Sequence, residues 1–93
     1  MGRLLEKIQE AVNEDRFLIS WHADERCEER GVAPWQLAVG LESCVLVGEH
    51  PRSKPHATVN VRETLADGTE VEAVWAWLPQ KRRAKLVTVY FPG

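Results

Sequence analysis

Cysteine is scarce in this 93-residue sequence, with Cys27 and Cys44 the only two. They are too few for the disulfide scaffold of a small secreted domain and read as reduced thiols in a core. A long apolar run is also missing. The opening "MGRLLEKIQE" is charged from its third residue, which leaves no signal-peptide stretch and no membrane span, so a cytoplasmic protein without membrane contact is expected. Gly2 is not followed by Ser or Thr at position 6, where Glu6 stands, and the myristoylation pattern is therefore absent. Five residues with zinc-ligand chemistry are present, His22, Cys27, Cys44, His50 and His56, yet no Cys-x-x-Cys or His-x-x-x-His pair occurs among them. His22 and Cys27 would stand about 140° apart on a helix. No metal and no cofactor are expected. Repeats, low-complexity tracts and linkers are lacking too, which points to one domain over residues 1–93.

What is present suits a single small core: 44% of residues are hydrophobic. The net charge of −2 hides an asymmetry. Met1–His50 holds 5 Lys/Arg against 10 Asp/Glu, whereas Pro51–Gly93 holds 7 against 4. A basic C-terminal half offers a local patch to a phosphate-bearing partner; alternatively, the two halves attract each other within the monomer.

Leu4, Leu5, Ile8, Ala11 and Val12 recur at helical spacing, predicting an amphipathic helix over Arg3–Asn13. "RFLIS" is a short apolar run ending at Ser20, which suits the N-cap of a helix over Trp21–Arg30 that Gly31 stops. Pro34 opens a third helix through about Leu41. Beyond "ESC" the chain turns to β-branched and aromatic residues. "CVLVGEH", "ATVNVRETL", "EVEAVWAWL" and "AKLVTVYFP" read as four strands, the middle two joined by an Asp67-Gly68 hairpin turn and the last suited to a central position. Helices first and strands after imply an α+β domain, with helices packed on one face of a mainly antiparallel sheet.

"SWHADERCEERG" places His22, Arg26 and Arg30 four residues apart, on one polar stripe beside the apolar docking pair Ala23 and Cys27. Near a helix start, the dipole favours a neutral imidazole able to act as a base, while Asp24 and Glu25 favour its protonated form. Arginine forks match phosphate. The plainer alternative is a solvated helix in which Arg26 pairs with Glu25 or Glu29, and Arg30 with Glu28 or an acid elsewhere. On the last strand, Thr88 and Tyr90 are read as sharing a face with Leu86, opposite Val87, Val89 and Phe91. Their hydroxyls suit a phosphate or a leaving oxygen, though both residues are also good strand formers. Trp75 and Trp77 share a face, and with Trp21 and Trp35 they read as core aromatics rather than a base-stacking platform. Basic side chains gather in two loops, Arg52 and Lys54 in one and Lys81, Arg82, Arg83 and Lys85 in the other.

"SWHADERCEERGV" resembles the Ser-x-His-Ala-x-x-Arg-x-x-x-Arg-Gly-(Ile/Val) signature of the bacterial domain family DUF4258, and "LVTVYFP" resembles its closing strand. The likeness runs over about Ile19 to Pro92, with Cys27 where methionine is common and with a poorly matched "PRSKPHAT". That family is grouped with RelE/ParE-like toxins and metal-independent ribonuclease folds. The resemblance implies N-terminal helices packed on a curved, four-stranded, mainly antiparallel sheet. It further implies His22, Arg26, Thr88 and Tyr90 as the catalytic set, cleaving RNA by attack of a ribose 2′-hydroxyl on the adjacent phosphate. Arg30 on the helical stripe and Lys54, Arg82 and Arg83 in the basic loops, read from the residues themselves, are expected on the substrate side. RNA and an antitoxin-like protein are the partners the resemblance implies, with no DNA. The alternative is a non-catalytic RNA- or protein-binding module that retains the fold.

Overall fold

Three leucine and isoleucine positions and a following Ala-Val pair give the first helix, α1 (Arg3–Asn13), one apolar stripe, from which Ile8, Ala11 and Val12 are buried. It ends where Asp15 takes a left-handed backbone (φ 60°) and the Arg16 amide donates to the Ala11 carbonyl at 2.7 Å. The computed structural model describes residues 3–92. After α1 come β1 (Phe17–Ile19), α2 (Trp21–Glu29), α3 (Trp35–Gly40), a 3-10 turn (Leu41–Ser43), β2 (Val45–His50), β3 (Thr58–Thr64), β4 (Glu70–Leu78) and β5 (Arg83–Tyr90).

The architecture is α+β, but the sheet has five strands, in the order β1-β5-β4-β3-β2, and is mixed. The expected four-stranded sheet lacked β1. This "FLI" strand pairs parallel to β5, Phe17 beside Ala84 and Ile19 beside Leu86, while all other neighbours are antiparallel. Three residues are too few to show an alternation, and the partner that makes them a strand is the last one in the chain.

Ser20 joins β1 to α2. Its hydroxyl accepts from the Ala23 amide at 3.0 Å and donates to the Val87 carbonyl at 2.7 Å, while its own amide donates to the Leu86 carbonyl at 3.0 Å. The N-cap is as expected, and it also fastens the helix start to β5. Gly31, with φ 68°, follows the helix end as expected. In the β3–β4 hairpin, Gly68 adopts φ 89° and the Asp67 carboxylate accepts from the Thr69 amide at 2.9 Å.

All three helices sit on one face. Ile8, Ala11, Ala23, Cys27 and Leu37 meet Val59, Val61, Ala73, Trp75, Leu86 and Val89 in one continuous core. Each large aliphatic residue fully buried there contributes about 1.5–3 kcal/mol. Trp75 is fully buried and meets Phe17 edge to face, with ring centroids 6.3 Å apart. Trp77 is half-buried beneath the Lys7 ammonium. Trp21 and Trp35, expected in the core, are instead 77% and 63% exposed. The opposite face carries no helix among the described residues. Its side chains include Asn60, whose amide donates to Glu72 at 3.2 Å, and the cross-strand partners Arg62, Glu72 and Tyr90.

Candidate functional site

The register of β5 decides where the hydroxyl pair expected at the site goes. Opposite β4, Thr88 pairs with Val74 and Leu86 with Trp75, leaving Val87 as an extra residue. This bulge inverts the alternation, so Leu86 and Val89 are both fully buried in the core. Thr88, half-buried, and Tyr90, 52% exposed, flank Val89 and therefore point to the helix-free face, not the side of Leu86. An inserted residue of this kind leaves no mark in an alternation pattern.

Helix α2 docks on the other side. Ala23 and Cys27 are fully buried, as their spacing predicts, leaving His22 and Arg30 exposed and Arg26 half-buried. The Ser20 cap holds His22 in the first helical turn. The pairing of Arg26 and Arg30 with acids of their own helix does not form: among the described residues the ion pair is Arg16–Glu14, at 2.9 Å. Arg30 instead lies over the Phe91 ring, 5.4 Å from its centroid. His22 and Arg26 thus belong to the helical face and Thr88 and Tyr90 to the open face.

The basic loops behave differently. The loop between β2 and β3 and the turn between β4 and β5 border one cleft of about 440 Å³ on the helix-free face. Leu18, Leu78 and Pro55 supply apolar lining, and His56, Lys81 and Lys85 supply polar groups. Leu18 and Lys85 are direct β1–β5 partners, which is why a strand invisible to sequence patterning helps build the site. A neighbouring depression shares Leu18 and Lys81 and adds Arg83. Three cations and one imidazole thus surround an apolar floor.

Of the residues expected on the substrate side, Arg83 lies in the depression beside this cleft, and Lys54 is exposed in the loop that supplies Pro55 and His56. Arg82 does not. It adopts φ 54°, its carbonyl accepts from the Arg16 guanidinium, and it lines a separate depression with Lys7, Glu10 and Trp77. Arg30 is on the helical face. His56, Lys81 and Lys85 were not singled out as site residues, although the clustering of lysines before the last strand was a usable signal.

A second unexpected feature is Glu63, fully buried on β3. Val59, Val61 and Leu65 alternate with it toward the core, so the position was legible as inward-facing. The Trp75 indole donates to one carboxyl oxygen at 3.1 Å; the other, Oε1, has no hydrogen-bond partner. Burial pushes this carboxyl up to about 8, against the lowering effect of the indole. The thiols of Cys27 and Cys44 are likewise raised, chiefly by burial, with Asp24 and Glu63 adding to Cys27 and Glu63 to Cys44. Neither thiol has the depressed pKa of a reactive nucleophile.

Among the described residues no three His, Cys, Asp or Glu side chains group as a metal site, and no helix is long and apolar enough to cross a membrane. Comparison with family models, with curated proteins and with solved structures gives no match.

Proposed function

We propose that the chain is an RNA-binding module with a RelE-like arrangement of helices on a sheet, and that it holds single-stranded RNA at the helix-free cleft. The observation that carries this reading is the meeting of Pro55 and His56, from the β2–β3 loop, with the basic β4–β5 turn around one apolar-floored cleft. Lys81, Arg83 and Lys85 suit backbone phosphates, and Leu18, Leu78 and Pro55 suit the face of an unstacked base. Duplexes keep their bases stacked and offer nothing to such a floor.

A second reading is metal-independent RNA cleavage at the start of α2, with His22 as base or acid and Arg26 stabilising charge on the phosphoryl oxygens. The capped helix start, which fixes His22 one turn from the half-buried Arg26, favours it. Thr88 and Tyr90 enter this reading only where RNA wraps around β5 from one face to the other.

One experiment addresses both. Fluorescence anisotropy with a labelled single-stranded RNA should show binding that Lys81→Glu/Lys85→Glu weakens by roughly tenfold or more, with a gel of the same samples in a chelating buffer scoring cleavage. Equal affinity in wild type and variant would overturn the binding site. Cleavage that His22→Ala abolishes supports the second reading, and equal cleavage by wild type and His22→Ala removes it.

A further inference from the structure

Exposed apolar side chains are unevenly spread over this surface. Of seven large ones among the described residues, five fall between Trp35 and Val47: Trp35, Val39, Val45, Leu46 and Val47. Trp35 and Val39 are four residues apart on α3, and so share one side of it, each 63% exposed. The last residue of α3, Gly40, lies against the Glu63 side chain, while Val45 pairs with Arg62 beside it. The end of α3 and the start of β2 therefore meet at one corner of the sheet.

At this corner β2 is an edge. Among the described residues it pairs with β3 on one side and with no strand on the other, so its outer row of backbone donors and acceptors has no strand partner. Edge strands are commonly protected by lysine, proline or a bulge. Here there is an irregularity between Leu46 and Gly48, but neither Lys nor Pro from Val45 to His50, and three consecutive apolar side chains stand in solvent.

We propose that this edge pairs antiparallel with β2 of a second copy, giving a two-fold dimer with Trp35 and Val39 beside the seam. The charges flanking the strand select the partner. Glu42 is exposed just before β2, and Arg52 is exposed just after it. A two-fold pairing centred near Val47 reverses the second strand, so each copy's Glu42 comes beside the other's Arg52. A uniformly acidic or basic peptide matches one end of the edge and is repelled at the other, whereas a second copy matches both. The pairing leaves Leu18 and Lys85, on strands at the far side of the sheet, open.

Sedimentation equilibrium from micromolar to millimolar concentration tests the proposal. Wild type should reach twice the 10.6 kDa chain mass. The Val45→Lys/Val47→Lys variant should stay monomeric with unchanged circular dichroism. Should that variant fold poorly, the exposed charges give an independent test: Glu42→Arg should raise the dimer dissociation constant roughly fivefold, and Glu42→Arg/Arg52→Glu should restore it. A monomer at every concentration, or a dimer indifferent to both sets of changes, overturns the proposal.

Discussion

A carboxyl group without access to water is costly when charged, and Glu63 sets how this fold answers to pH. Its unpartnered Oε1 faces Gly40, where an added Cβ would come within 2.8 Å. A side chain at that helix end would have to displace the Glu63 carboxyl, so glycine is favoured there by close approach, not by backbone conformation. Burial raises the Glu63 pKa from the ordinary 4.5 to about 8, so the folded protein retains a proton there that the unfolded chain has released. Stability from this group is complete below about pH 4.5 and declines as pH rises through the window up to about 8, with a slope approaching 1.4 kcal/mol per pH unit. Above that window it changes no further. Glu63→Gln keeps an oxygen acceptor for the Trp75 indole but cannot ionise. Thermal melts between about pH 5 and 9 should therefore show wild type losing stability with rising pH and Glu63→Gln nearly flat across the same range. An equally steep decline in the variant would assign the pH response to another group.

Among the elements, the junction of β1, α2 and β5 depends on Ser20. Its hydroxyl both caps α2 and donates to the carbonyl of Val87, the bulge residue, so one side chain joins helix start to strand irregularity. Removing a serine cap costs about 1 kcal/mol, and losing a half-buried hydrogen bond costs about as much again. Ser20→Ala should lower the melting temperature by roughly 10 °C for a domain of this size, whereas Ser43→Ala, at an exposed position of the 3-10 turn, should not. Equal effects from the two would reduce Ser20 to an ordinary loop residue. The same junction shows why parts of the fold escaped the sequence. The cap, α1, the Asp67-Gly68 turn and the β3–β4 alternation are local, written in residues a few positions apart. β1 becomes a strand, and Val87 a bulge, only through pairing with distant chain, which no local pattern records. The site divides the same way: the spacing of His22, Arg26 and Arg30 was plain, while the approach of His56 to Lys81 and Lys85 follows from strand order.

At the scale of the whole molecule, charge is unevenly spread. Asp24, Glu25, Glu28 and Glu29 are exposed on α2, on the helical side, and Lys81, Arg83 and Lys85 border the cleft on the open side. The small net charge of −2 therefore conceals a local concentration of positive charge at the cleft, which attracts a polyanion there. Single-stranded RNA releases about 0.7 counterions for each phosphate a cation neutralises, so three cations at the cleft should give a log–log dependence of affinity on salt with a slope of about −2. Lys85→Ala should bring that slope closer to zero by about 0.7. Arg82 sits one residue from Arg83 but opens into the depression with Lys7 and Trp77, so Arg82→Ala should leave the slope unchanged. A binding titration at several salt concentrations distinguishes these neighbours. If Arg82→Ala flattens the slope and Lys85→Ala does not, RNA engages the depression bordered by Lys7 and Arg16, and the cleft on the open face is not where its phosphates are held.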